Sequence, residues 1–311
     1  MLFSIIIPVY NRPDEVKELL QSLTHQTDNM FEVIVVEDGS TLTCENVCKQ
    51  YAGQLDIKYL VKENSGPGGS RNFGAEQAKG DYLLILDSDC IIPENYIQNI
   101  RKELQTNPCD AFGGADAAHE SFSDMQKAVN YAMTSFFTTG GIRGGKKDGL
   151  EKFHPRSFNM GVKTSVYKNL GGFSNMRYGE DIDFSIRIFK AGHTVCLFPE
   201  AYVYHKRRVN LAKFYRQVFH SGAARINLWK RHPESLKLVH FLPSIFVIAV
   251  ISILIVGFFK PVIWGLLLLF CLVIFADSTL KNKSIKIGLL SIITSFTQLF
   301  GYGLGFLSKM R

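Results

Sequence analysis

Several devices that organise other chains are missing here. The six cysteines (Cys44, Cys48, Cys90, Cys109, Cys196 and Cys271) are scattered. Cys44 and Cys48 lie one helical turn apart, but no second pair at ligand spacing answers them. A cysteine-based zinc site is therefore excluded, and free thiols in a reducing cytosol are expected. The glycine-rich stretch Asn64–Asn72 has neither the Lys-Ser/Thr of a P-loop nor the Gly-x-Gly-x-x-Gly of a dinucleotide site. No basic n-region or small-residue cleavage site accompanies the strand-like Leu2–Ile7, so no signal peptide is expected. Internal repeats and low-complexity tracts are absent. Before Phe241 there is also no long uncharged apolar run.

What is present divides unevenly along 311 residues. The apolar weight falls after Phe241, as Phe241–Phe259, Val262–Ala276 (short unless it continues past Asp277) and Ile287–Leu307. A helix needs about 20 apolar residues to cross hydrocarbon. A multi-pass membrane region of two to three helices is therefore expected over 241–311, the third re-entrant or interfacial if it does not cross. Lys206, Arg207, Arg208, Lys213, Arg216, Arg225, Lys230, Arg231 and Lys237 form a basic collar just ahead of it, and the net charge is +7. No nucleic-acid-binding motif accompanies the collar, so its expected partner is the anionic cytoplasmic face of a membrane, not nucleic acid. The preceding domain is then cytosolic, at the cytoplasmic (inner) membrane.

The first hundred residues alternate strand and helix signals. Apolar β-branched runs at Phe3–Val9, Phe31–Val36, Ile57–Val61 and Tyr82–Leu86 are separated by helix patterns at Pro13–Leu23, Thr43–Tyr51 and Arg71–Lys79. Such alternation predicts βαβ units, hence an α/β, Rossmann-like, mainly parallel sheet flanked by helices. Ligands gather at the carboxyl ends of such strands. The organisation expected is 1–110 for the alternating α/β half, 111–205 for a second, less regular half, 206–240 for basic interfacial helices, and 241–311 for the membrane. Thr139–Lys147 is too glycine-rich for an element interior and reads as a loop or lid.

The polar clusters that close the strands carry the chemistry. Asp87-Ser88-Asp89 follows Tyr82–Leu86, and paired carboxylates there can hold Mg²⁺ or Mn²⁺ against a diphosphate or meet a ribose hydroxyl. Pro8-Val9-Tyr10-Asn11 and Glu37-Asp38-Gly39-Ser40 end the first two strands. Together on one rim they can read a nucleotide, with Asp38 at the edge of its base; each alone reads equally as a turn. Arg71 stands at a helix start, as a phosphate or ribose partner or a surface charge. Glu180-Asp181 opens a helix from about Ile182 to Ala191, and a carboxylate there can accept a proton from a hydroxyl or simply cap the helix. On that helix Asp183 and Arg187 fall one turn apart and can pair. His205, after Ala201–Tyr204, is a third candidate ligand for the metal.

Taken in order, Pro8-Val9-Tyr10-Asn11, Glu37–Ser40, Gly66–Asn72, Asp87-Ser88-Asp89, Phe158-Asn159-Met160, Gly171-Gly172-Phe173 and Gly179-Glu180-Asp181 resemble the family 2 glycosyltransferases of the GT-A fold, over roughly residues 1–205. The resemblance implies inverting transfer of a sugar, with 1–110 as the nucleotide-sugar-binding half and 111–205 as the acceptor-binding and catalytic half. Asp38 would lie near the base, Asp87 and Asp89 at ribose and metal, and Asp181 would be the general base. It strengthens His205 as a metal contact and places Asn159, Met160 and Glu180 toward the acceptor. Tyr215–Arg225 with Arg231-His232-Pro233 resembles the membrane-proximal region of bacterial exopolysaccharide enzymes of the succinoglycan ExoA type, which implies a lipid-linked acceptor and a nucleotide-sugar donor, a UDP-sugar first. The Gln-x-x-Arg-Trp motif of processive synthases is absent, since Gln217 is followed by Val218-Phe219-His220-Ser221, and no span precedes the domain. Single transfer is therefore expected over polymerisation. The rival readings are a polyprenyl-phosphate glycosyltransferase and a non-catalytic nucleotide-sugar-binding membrane protein.

Overall fold

The computed structural model describes residues 1–117, 122–140, 153–206 and 210–310. The glycine-rich segment from Gly141 onward, expected as a lid, and Arg207 and Arg208 of the basic collar lie outside the described residues. The strands are β1 (Phe3–Val9), β2 (Phe31–Asp38), β3 (Ile57–Lys62), β4 (Tyr82–Leu86), β5 (Cys90–Ile91), β6 (Ala111–Gly113), β7 (Asp116–Ala117), β8 (Asn159–Lys163), β9 (Val195–Leu197) and β10 (Val203–His205). The helices are α1 (Pro13–Thr24), α2 (Glu45–Tyr51), α3 (Gly66–Glu76), α4 (Tyr96–Thr106), α5 (Asp124–Thr134), α6 (Phe136–Thr139), α7 (Thr164–Asn169), α8 (Glu180–Lys190), α9 (Leu211–Arg231), α10 (Leu242–Phe259), α11 (Trp264–Asn282) and α12 (Ile285–Leu307). The chain divides into two compact units, Met1–Ala117 with Glu151–Lys206, and Ala118–Leu150 with Arg207–Arg311.

The first unit is built on a seven-stranded sheet in the order β3-β2-β1-β4-β8-β6-β9. β3, β2, β1 and β4 are parallel, and β8 is antiparallel to both β4 and β6. Alternation with period two sorts the side chains onto two faces. Ile5, Ile7, Leu84 and Leu86 join one core, while Ile6, Leu83 and Ile85 join the other. α1 starts with Pro13, Asp14 and Glu15, as a helix start favours, and buries Val16, Leu19, Leu20 and Leu23 at helical spacing. Because β1 to β4 are parallel, their carboxyl ends lie along one edge, where the register pairs Val9 with Glu37 and Asp38 with Lys62. β8 runs the other way and contributes its first residue, Asn159, opposite Leu86. A small second sheet, β5-β10-β7, sets His205 opposite Cys90.

α3 departs from expectation. It begins at Gly66 and ends at Glu76, five residues ahead of the expected start at Arg71. Three glycines in its first turn argue against a helix on propensity. The Asp38 carboxylate offsets this by accepting from the Ser65 and Gly66 amides at 2.9 Å each, two of the donors that a helix start leaves unpaired. α11 continues past Asp277 to Asn282, so the short second apolar run reaches full length.

The second unit holds α5, α6 and α9 to α12. Three helical segments, Leu238–Phe259, Pro261–Asn282 and Ile285–Leu307, are long and apolar enough to cross a membrane. α10 and α11 are apolar around most of their circumference, with Leu242, Ile248, Ile251, Leu266 and Leu272 exposed. Neighbours of this kind suit lipid, not water. Tyr131 of α5 donates to Asp277 Oδ2 of α11 at 2.7 Å, and Lys281 reaches the same oxygen at 2.8 Å.

Candidate active site

The strand-end edge of the first unit carries a dense set of charges, and the structure arranges them as three linked groups. The first surrounds Asp38. Lys62 Nζ donates to its Oδ1 at 2.8 Å, and the Ser65 and Gly66 amides donate to Oδ1 and Oδ2. Burial works against the charge, but Lys62 and the Ser65 amide outweigh it, and the carboxyl is held below its usual range. Glu37, its neighbour, points the other way. It is fully buried and accepts from the Cys44 amide, the Cys44 thiol, the Tyr59 hydroxyl and Ser40 Oγ. Glu37 therefore anchors the β2 end, and Asp38 holds the start of α3.

The turn after β1 is tied to the turn after β2. Asn11 adopts φ of 54°, a conformation asparagine tolerates better than most residues. Its Oδ1 accepts from the Thr41 and Leu42 amides at 2.9 and 2.8 Å, and its own amide donates to Ser40 Oγ at 2.8 Å. The Asn11 side chain is thus spent on the loop itself. Val9 is buried, Pro8 half-buried, and Tyr10 is exposed beside them.

The second group centres on Arg71. Its guanidinium is 2% exposed, donates from Nη2 to Asp87 Oδ1 at 2.7 Å and from Nη1 to Glu180 Oε1 at 2.8 Å, and lies 5.2 Å from the Phe173 ring centre. Arg71 thereby joins the end of β4 to the start of α8, reaching Glu180 across 109 residues of sequence. It is a buried structural bridge and not the surface charge that was one of the two readings. Burial, then the neighbouring Asp181, push the Glu180 carboxyl up to about 7 despite Arg71. Asp181 sits beside it at the first turn of α8, after Gly179 with φ of 83°. Its Oδ2 lies 3.5 Å from Arg156 Nη1 and its Oδ1 accepts from the Ile182 amide at 2.8 Å. Further along α8, Arg187 Nε donates to Asp183 Oδ2 at 3.0 Å, and its two other nitrogens reach the Leu170 and Gly172 carbonyls.

Asp89 is the centre of the third group. Ser88 and Asp89 are buried, whereas Asp87 keeps 30% of its side chain exposed. Arg12 Nη1 bonds Asp89 Oδ2 at 2.6 Å, and His205 Nε2 lies 3.1 Å from Oδ1. The His205 ring stacks on Phe158 with centroids 4.8 Å apart. The pairing of β10 with β5 is what brings His205 to this place from 116 residues away. Arg12 was missed in the sequence, where Asn11-Arg12-Pro13 reads only as a turn. Its one signal is that it directly follows the strand-end cluster.

This donor set fits a divalent ion. Ligand atoms of Asp89, Cys90 and His205 lie within 4.8 Å of one another. A carboxylate and an imidazole suit Mn²⁺, and a carboxylate alone suits Mg²⁺. Cys90 is a poorer ligand, because burial, followed by the charge of Asp89, raises its thiol well above the usual range, and its Sγ donates to the Phe158 carbonyl at 3.5 Å. Asp87, expected as a second ligand, turns instead to Arg71.

Asn159 and Met160, expected at the acceptor, sit inside. Asn159 Oδ1 accepts from the Tyr96 hydroxyl at 2.7 Å and its Nδ2 donates to the Ala201 carbonyl at 2.8 Å. Met160 is packed in the core against Ile85 and Phe184. Both are 1% exposed, so neither side chain is available to an acceptor. Burial beneath the edge, where β8 meets β4, makes them its floor.

Comparison with known proteins bears on the family and the fold. The sequence profile described as Glycosyl transferase family 2 matches residues 4–171, more than half of the chain. An uncharacterized glycosyltransferase of Haemophilus influenzae is 32% identical over 196 residues, which are 61% of this chain. The chain spans 62% of that relative's length. Glycosyltransferase AglE of Haloferax volcanii is 25% identical over 267 residues, 78% of this chain and 81% of that protein. Among solved structures, the mannosyltransferase PcManGT from Pyrobaculum calidifontis, in complex with GDP-Man and Mn²⁺, covers 94% of this chain and 86% of its own. Its TM-score is 0.66 at 15% identity. Staphylococcus aureus TarS 1–349 in complex with UDP-GlcNAc has a TM-score of 0.52 at 23% identity, covering 73% of this chain and 67% of its own. At these identities the two structures speak to the fold.

Proposed function

The chain belongs to glycosyl transferase family 2 and has a GT-A-like fold, and on that premise we propose that it carries out an inverting, metal-dependent transfer of one sugar. The donor is a nucleotide-sugar, a UDP-sugar first, and the acceptor is a lipid-linked saccharide at the cytoplasmic face of the inner membrane. The observation that carries this reading is the Arg71 bridge. It ties Asp87, just after the strand expected to meet the donor, to Glu180, next to the candidate base Asp181. A donor diphosphate and an attacking hydroxyl can then be served from one rigid locus.

In the proposed reaction the acceptor hydroxyl oxygen forms a bond to the anomeric carbon on the face opposite the diphosphate. The bond from that carbon to the diphosphate oxygen breaks, and the nucleoside diphosphate leaves with the electron pair. The hydroxyl proton passes to the Asp181 carboxylate. Single displacement at carbon inverts its configuration. Asp38 and the Pro8–Asn11 turn serve the nucleoside, and Asp87, with Ser88, the ribose. Asp89 and His205 would hold Mg²⁺ or Mn²⁺, which when bound offsets the diphosphate charge and stabilises the leaving group.

Support for the donor class comes from two structural neighbours whose complexes contain GDP-Man and UDP-GlcNAc. Support for a lipid acceptor comes from the apolar helices that follow the catalytic unit in the same chain. The test is a panel of UDP-, GDP- and dTDP-sugars with membrane lipid extract and Mn²⁺ or Mg²⁺, read by mass spectrometry. A lipid-linked saccharide heavier by one sugar residue is expected. A sugar monophospho-lipid would identify a polyprenyl-phosphate glycosyltransferase instead, and binding of donors without any turnover would leave only a nucleotide-sugar-binding protein.

A further inference from the structure

We infer that α12 lies along the membrane surface, on the face where α10 enters and α11 returns, and does not cross the bilayer. The inference rests on the membrane placement in the proposed function, with α10 and α11 as a spanning hairpin. These two helices are joined by the four residues Lys260–Ile263, and Gly257 is packed against the Trp264 ring. In a hairpin the start of α10 and the end of α11 share one face. α12 touches both of these places. Near its beginning, Gly288 is packed on Phe275 and Thr279, and Ser291 bonds Ser278 at 2.7 Å, all at the end of α11. Near its end, Gly303 is packed on Pro243, its carbonyl accepts from Ser244 Oγ at 3.2 Å, and Phe306 meets Phe241 at the start of α10. Both ends of α12 are therefore at the same face. Its 23 residues make a helix of roughly 34 Å, long enough to touch both legs of the hairpin on that face.

The neighbours of α12 argue the same way. Thr294 Oγ1 donates to the Ala128 carbonyl of α5 at 2.9 Å, and Lys286 pairs with Asp124 at 2.7 Å. Against α9 the helices meet backbone to backbone. A Cβ added at Gly305 would stand 2.0 Å from the Phe219 carbonyl oxygen, and one at Gly222 2.1 Å from that of Tyr302. α9 cannot enter hydrocarbon, because Lys213, Arg216, Lys230 and Arg231 are exposed along it. Each cation at mid-membrane would cost about 2.5–3.5 kcal/mol on insertion scales. A crossing α12 would have to carry α9 with it.

α12 is also sided as an in-plane helix should be. Ser291, Thr294, Ser295 and Gln298 are turned into the protein, while Leu289, Ile293, Leu304 and Leu307 face outward. The outer face suits the acyl boundary and the inner face suits α5 and α9. Lys281, Lys283, Lys286 and Lys309 then fall on one face, where the positive-inside bias and anionic headgroups favour them.

The test is side-specific maleimide labelling of the full chain in sealed right-side-out and inverted membrane vesicles. The variants Lys260→Cys, Lys283→Cys and Lys309→Cys are all at exposed positions, and the unsubstituted chain sets the background. Lys309→Cys is expected to label several-fold more strongly from the side that labels Lys283→Cys, and Lys260→Cys from the other. Labelling of Lys309→Cys together with Lys260→Cys would overturn the in-plane placement while leaving the hairpin intact. Labelling of Lys260→Cys and Lys283→Cys from the same side would overturn the hairpin, and the inference with it.

Discussion

The two units solve opposite packing problems with the same twenty side chains. In the first, the apolar residues of β1, β2 and β4 are buried on both faces of the sheet, and charge is gathered at the strand ends. In the second, α12 buries serine, threonine and glutamine and exposes leucine and isoleucine. The difference teaches which solvent each unit meets. Burial of apolar surface from water holds the first together. In the second that driving force is absent wherever lipid is the solvent, and close approach through Gly222, Gly301, Gly303 and Gly305 takes its place.

The comparison breaks most severely at Arg71. Replacing it with alanine leaves Glu180 buried without a counter-charge, and breaking a buried pair in this way costs about 3–5 kcal/mol. Thermal unfolding of the purified chain should register the loss in the transition of the first unit, with the helical transition of the second unchanged. A smaller and separate effect is expected at Gly305→Leu. Its side chain would meet the Phe219 carbonyl, so overpacking of about 1–3 kcal/mol should appear as earlier loss of the second unit's helical signal, with donor binding retained.

The third expectation concerns pH. The Glu180 carboxyl is raised from an ordinary 4.5 to about 7, so the folded chain binds this proton more tightly than the unfolded chain does. Its contribution is complete below about 4.5 and is lost as pH rises through about 7. Glu180→Gln should flatten that decline between the two values, read as melting temperature against pH. An unchanged slope would remove Glu180 from the account. The smallest effect belongs to Arg12→Gln. Without the 2.6 Å pair to Asp89, Mn²⁺ in the absence of nucleotide should bind a few-fold more tightly, as judged by electron paramagnetic resonance of the free ion.

Much of the first unit was legible because its elements are local. Phe3–Val9 and Tyr82–Leu86 declare themselves by composition, and Asp87-Ser88-Asp89 by its position after a strand. The parts that were not legible depend on partners distant in sequence. α3 begins at Gly66 because Asp38, 28 residues earlier, caps it. β5 and β10 are too short to read from periodicity, yet their pairing delivers His205 to Asp89. Asn159 and Met160, placed toward the acceptor by the resemblance, are interior because β8 is inserted between β4 and β6. α5 gives little signal alone, since α12 supplies the surface that Ala128 packs toward. The three apolar runs were plain, but whether a run crosses is decided by what it packs against.

The proposed activity is sugar transfer at the strand-end edge with Asp181 as the base. It is tested most directly by Asp181→Asn, measuring transfer rate and donor affinity on the same preparation. The predicted result is a loss of transfer of about 10²–10⁴-fold with donor affinity unchanged. Transfer at the wild-type rate by Asp181→Asn would contradict it.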